Sequence, residues 1–205
     1  MYWRRKKVAY NILIPPITKN MDQLTKTEAQ EYFEWFTGKL VERTEYLRSY
    51  TKLLLDYSPE SLVSLWAWFL RKAEIEATPK AQLEALKKRL IEANSPFVDT
   101  ILRDRTKQFT LETEYIIRDI GMYWGEIFVN NYPSIYWDYY TKPKRDLFVN
   151  RPLLRGFPNE IFPNKEGVAF EPIYMTQVQA SRIFNGEESK SDLLRIHRIW
   201  ESKIQ

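Results

Sequence analysis

Apolar residues recur every three or four positions through most of residues 25–131, the spacing that gathers side chains on one face of a helix. The first helix has a clear start, because Thr25 and Glu28 form a capping box in which hydroxyl and carboxylate satisfy the free amides of the opening turn. It carries Tyr32, Phe33, Trp35 and Phe36, then Leu40, Val41, Leu47, Tyr50 and Leu54; Gly38 between the two groups leaves open whether one bent helix or two separate ones result. Ser58 followed by Pro59 opens the next helix, whose Leu62, Val63, Leu65, Trp66, Trp68, Phe69 and Leu70 cover most of the circumference and predict a central position. Thr78 and Pro79 repeat the start signal for a helix to about Ala93, with Leu83, Leu86, Leu90 and Ile91 on one face and Asn94, Ser95 and Pro96 ending it. Residues 97–109 read as a connection.

The densest apolar and aromatic run, residues 111–140, organises the rest. Its first part is a helix that Thr110 can cap, with Ile116, Ile120, Met122, Tyr123, Trp124, Ile127 and Phe128 crowded mostly on one side. Gly121 and Gly125 fall roughly opposite, where missing side chains admit another backbone or leave a shallow groove. Beyond Pro133 the pattern turns to Ile135, Tyr136, Trp137, Tyr139 and Tyr140, the composition of a strand. Short strand-like runs follow at 147–149 and 152–154, then helices over 175–184 and from Ser191, with Asn185 and Gly186 between them. Residues 8–14 form an edge strand or an extended arm that Pro15 and Pro16 end.

Helices and strands are segregated instead of alternating, which predicts an α+β fold, predominantly helical: a helical bundle packed with a small antiparallel sheet formed from the C-terminal half. No linker composition divides the chain, so 1–205 reads as one domain, with an N-terminal arm or edge strand (1–20), a helical part (21–132) and a small sheet with two C-terminal helices (133–205).

Composition removes several kinds of chemistry. The chain has no cysteine and a single histidine, His197, which excludes thiol nucleophiles, thiolate sites and multi-histidine metal centres. No Gly-x-Ser-x-Gly elbow accompanies His197, and with six glycines no phosphate-binding loop pattern occurs, so neither a cofactor nor a metal is expected. The net charge of +4 is mild. Arg4 to Lys7 and Lys87 to Arg89 are the dense basic clusters and read as solvated charge, so no nucleic-acid partner is expected. No apolar run reaches the ~20 residues of a membrane span, and residues 12–14 are too short for a secretion signal, so the expected setting is cytoplasmic.

Glu112, Asp119 and Glu126 repeat every seven residues and form a row along the organising helix, about 10 Å apart along its axis. That is too far for two to share an ion, and the row reads as a solvated polar edge, with Glu126, among Trp124 and Phe128, partly buried. The candidate ligand or partner site is where Trp124 and Glu126 meet the strand holding Trp137 and the loop holding Arg155. There the two indoles supply walls, and Glu126 and Arg155 supply opposite charges that either orient a ligand or pair with each other.

Gly121, Tyr123, Gly125 and Glu126 spell G-x-Y-x-G-E, with Trp137 about ten residues on. This resembles a pattern in poorly characterised bacterial α+β families, some similar to immunity proteins, in which such a helix leads into a small sheet. The resemblance covers roughly residues 111–157 and implies a fold class and a bacterial cytoplasmic setting. Aromatics at 15%, together with the arginines, are the residue types that dominate interfaces. The expected function is therefore a non-enzymatic interaction protein, of immunity-like or regulatory type, that binds a protein partner. A small-molecule binder, or an enzyme using the Glu126 carboxylate, is the alternative.

Overall fold

The computed structural model describes residues 9–158 and 168–204, so the basic cluster at Arg4 to Lys7 lies outside the described residues. Seven helices and two separate two-stranded antiparallel sheets make up the described chain. The predominantly helical α+β class is as the sequence predicts, with one addition: a second pair of strands lies within the helical half.

Helix α1 (Lys26–Thr51) is a single helix. The Thr25 hydroxyl accepts from the Glu28 amide and the Glu28 carboxylate from the Thr25 amide, the predicted capping box. Gly38 is exposed with nothing near it and does not interrupt the helix. Its buried stripe, Ala29, Tyr32, Phe36, Leu40, Arg43 and Leu47, advances by three or four residues throughout. Helix α2 (Ser61–Lys72) starts two residues later than Pro59 suggests, with the Ser58 hydroxyl accepting from the Ser61 amide. It is buried around most of its girth, and Trp66 and Phe69 are fully enclosed.

After α2 the chain makes a strand β1 (Ile75–Ala77), then helices α3 (Lys80–Glu92) and α4 (Val98–Asp104), then strand β2 (Lys107–Phe109). β1 and β2 pair antiparallel, Ile75 opposite Phe109, so the helices between them form an arm on a two-stranded stem. The stretch 97–109 is therefore not a simple connection. Leu83, Leu86 and Leu90 do share a face, yet neither α3 nor α4 has one buried residue. Two short amphipathic helices packed mainly on each other cannot enclose a core.

Helix α5 (Leu111–Asn131) is the centre, capped by Thr110 and packed against α1, α2 and helix α6 (Pro172–Ser181). Its glycine side is covered as fully as its apolar side. A Cβ on Gly121 would lie 2.6 Å from the Ile173 Cα, so α6 rests its backbone on α5 there, and a Cβ on Gly125 would fall on the Trp137 ring. Past α5, β3 (Tyr136–Asp138) pairs with β4 (Leu153–Arg155), as the strand signals predict, whereas residues 147–149 form a turn and not a strand. Helix α7 (Asp192–Glu201) closes the molecule against α2. The N-terminal residues from 9 onward are an arm without strand pairing, anchored by buried Tyr10. Among the described residues no helix is long and apolar enough to cross a membrane.

Candidate functional site

The structure brings two of the four residues singled out from sequence into contact and turns the other two to different partners. Trp124 is fully buried and points toward α7, donating its indole N–H to His197 Nδ1 at 3.2 Å and meeting Phe170 edge to face. Glu126 and Trp137 do come together: the indole Nε1 donates to the Glu126 carboxylate at 2.8 Å, with the ring seated on Gly125 and against Phe36. Arg155 forms an ion pair with Asp138 across the β3–β4 ladder at 2.8 Å, a pairing between strand neighbours in place of the Glu126–Arg155 pair that is one of the two alternatives read from sequence. Arg155 also borders a surface depression of about 530 Å³ with Tyr140, Lys142 and Asp146. Burial holds the Glu126 carboxyl above its usual range, opposed by the Trp137 hydrogen bond. That contact ties α5 to β3.

Each residue of the G-x-Y-x-G-E run is occupied in packing. Gly121 admits α6 and Gly125 admits Trp137; the Tyr123 hydroxyl bonds the Ser61 hydroxyl and accepts from the Tyr57 amide, pinning the start of α2. His197 is sealed against Phe128, and burial lowers its pKa to about 4, so at neutral pH it is an uncharged acceptor for Trp124.

The carboxylate row is corrected at its middle member. Asp119 is buried, not solvated: one carboxylate oxygen accepts from Arg43 Nε at 3.0 Å and from the Tyr10 hydroxyl at 2.5 Å, and Arg43 is equally buried. Burial pushes the Asp119 carboxyl up against the pull of Arg43. This network joins the N-terminal arm, α1 and α5. Among the described residues no cluster of His, Asp or Glu is arranged to hold a metal ion.

The concave feature lies elsewhere, between the α3–α4 arm and the body. A half-open cleft of about 680 Å³ has α3 as one wall, α6 as the other and β2 as its floor. Leu83 and Leu86 of α3, Ile101 of α4, Phe109 of β2, Val178 of α6 and Phe184 beyond it supply apolar surface. Arg89, Arg105 and Lys107 stand in the same lining and have no ion-pair partner among the described residues. One carboxylate, Glu114, shares the lining; burial raises its pKa, and it accepts a long hydrogen bond from Gln177. A second depression of about 420 Å³ continues the cleft past Arg105 and Lys107 toward Asn185. The cleft is thus apolar in its walls and cationic at its rim, a volume and character suited to binding. Sequence reasoning passed over it because Leu83, Leu86 and Arg89 look like an ordinary amphipathic helix; the available signal was that the short α4 could not cover that face. Comparison with protein-family models, with curated proteins and with solved structures finds no match for this chain.

Proposed function

We propose that the protein is a non-enzymatic interaction protein whose binding surface is the cleft between the α3–α4 arm and α6. The observation that carries this reading is that α3 and α4 contain no buried residue although Leu83, Leu86 and Ile101 line the cleft toward the body. In a molecule whose other long helices are well buried, such a face gains its stabilisation from something that enters the cleft. Ile91 and Phe97, 56% and 63% exposed, add apolar surface on the same arm outside the cleft, more than a small molecule needs and suited to a protein partner. The Glu126 carboxylate, tied to the Trp137 indole, favours this reading over a carboxylate-dependent enzyme.

A selection of random displayed peptides on the full chain tests it. Peptides that bind the parent are expected to lose binding to Leu86→Asp, in the cleft, and to keep it with Leu54→Asp, an exposed position outside it. Peptides that bind both variants equally, or a selection that enriches none, would refute the cleft as the binding surface.

A further inference from the structure

The walls and charges of the cleft bear on what it can accept. We infer, resting on the binding role proposed above, that its occupant is an acidic amphipathic helix of a partner protein, lying between α3 and α6 with apolar residues down and carboxylates toward Arg89, Arg105 and Lys107.

Three features lead to this occupant. The first is the shape of the walls. α3 lines the cleft with Gln82, Leu83, Leu86 and Arg89 and α6 with Tyr174, Gln177, Val178 and Ser181, each set repeating by three or four residues. Two helices exposing such ridges leave between them the grooves that a third helix fills. α3 as a whole is about 20 Å long at 1.5 Å per residue and lines the cleft from Gln82 to Arg89, which gives room for a guest of roughly two to three turns.

The second feature is what the guest would cover. Leu83, Leu86 and Ile101 are only half-buried, and a helix with anchors at i, i+3, i+4 and i+7 sets side chains on them and on Phe184 together. The guest then serves as the missing helix of a bundle that α3 and α4 begin.

The third is charge. Residues 78–107 hold seven Lys or Arg against four Asp or Glu, and the nearby pairs Lys88–Glu92 and Arg103–Asp104 leave Arg89, Arg105 and Lys107 unneutralised among the described residues. Glu114 is the one carboxylate in the lining and is hydrogen-bonded to Gln177, so three cations stand against a single acid. A basic or neutral helix would bring no charge to meet these three cations, whereas carboxylates flanking the apolar anchors would reach all three.

The test uses two libraries of helix-forming sequences about 14 residues long with identical randomised apolar anchors, one with Glu at its polar positions and the other with Lys. Both are selected on the full chain, and enriched clones are measured by fluorescence anisotropy. The Glu library is expected to yield binders that weaken at least about tenfold on Arg105→Glu/Lys107→Glu, weaken similarly when two prolines break the helix, and loosen as salt rises. Both exchanged residues line an open rim, so the variant keeps its fold. Binders from the Lys library alone, affinity indifferent to charge reversal or to proline, or no binder from either library would overturn the acidic-helix assignment. In those cases, peptides from the unrestricted selection that still require Leu86 would keep the cleft as a protein site with a different guest. Dodecanoate binding that requires Leu86 would instead assign it to a small amphiphilic anion.

Discussion

Glu171 to Gln is the substitution whose effect can be worked out most fully. Glu171 sits at the N-terminus of α6, 4% exposed, its carboxylate accepting the Tyr174 amide. Burial raises its pKa to about 7 despite that hydrogen bond and the nearby Arg151, against 4.5 for an ordinary glutamate. Between those values the folded chain holds a proton that the unfolded chain has released. The contribution of Glu171 to stability is therefore fully present below pH ~4.5 and is lost as pH rises through ~7. A shift of this size, at ~1.4 kcal/mol per unit, amounts to about 3 kcal/mol. Gln keeps the acceptor for the Tyr174 amide and removes the titration, so the variant should gain on the parent by about 3 kcal/mol between pH ~4.5 and pH ~8. His197, lowered to about 4, gives both proteins the opposite slope at acid pH, and that slope cancels in the difference. Urea unfolding of the two proteins across this range measures the gap directly. A gap that stays constant with pH would show that Glu171 is ionised in the fold near pH 5, and the argument from burial would fail.

Two further substitutions address the polar interior and the sequence-selected site. Asp119→Asn leaves Arg43 buried without its countercharge and should destabilise by about 3 to 5 kcal/mol in denaturant melts, with Arg43→Met in the same chain restoring much of the loss. Glu126→Gln keeps an oxygen to accept the Trp137 indole and leaves Arg155 on Asp138, so it should change stability by less than about 1 kcal/mol and leave cleft binding unaltered in the same anisotropy assay.

What could be read from the sequence was local. The capping box at Thr25, the enclosure of Trp66 and the close approach that Gly121 and Gly125 admit on α5 each follow from residues within one or two turns, and the structure shows all three. The burial of Asp119 was not legible, because the groups that hold it, Arg43 and Tyr10, lie 76 and 109 residues away and nothing in the helical spacing distinguishes a paired carboxylate from a wet one. β1 and β2 escaped because three residues apiece, Ile-Glu-Ala and Lys-Gln-Phe, are too few for an alternation to register. The cleft escaped for a related reason. Periodicity says which face of α3 is apolar, but whether that face is covered depends on how short α4 turns out to be and on where α6 lies. Trp124 misled in the same way: its neighbour Glu126 points to Trp137, while Trp124 itself, two residues earlier on the helix, faces His197.

The stem formed by β1 and β2 returns the chain to the place from which it left, with Ile75 and Phe109 side by side. The intervening segment therefore behaves as a tool on a fixed handle. Closing a short turn between two paired strands demands less chain entropy than closing a long loop, so exchanging residues 78–106 for a tight turn asks nothing new of α5, which takes up the chain directly after the stem. The same body could carry arms of different length and charge. Its choice of partner can then diversify by insertion and replacement between two neighbouring points, while the interior joining α1, α2, α5 and α6 stays as it is.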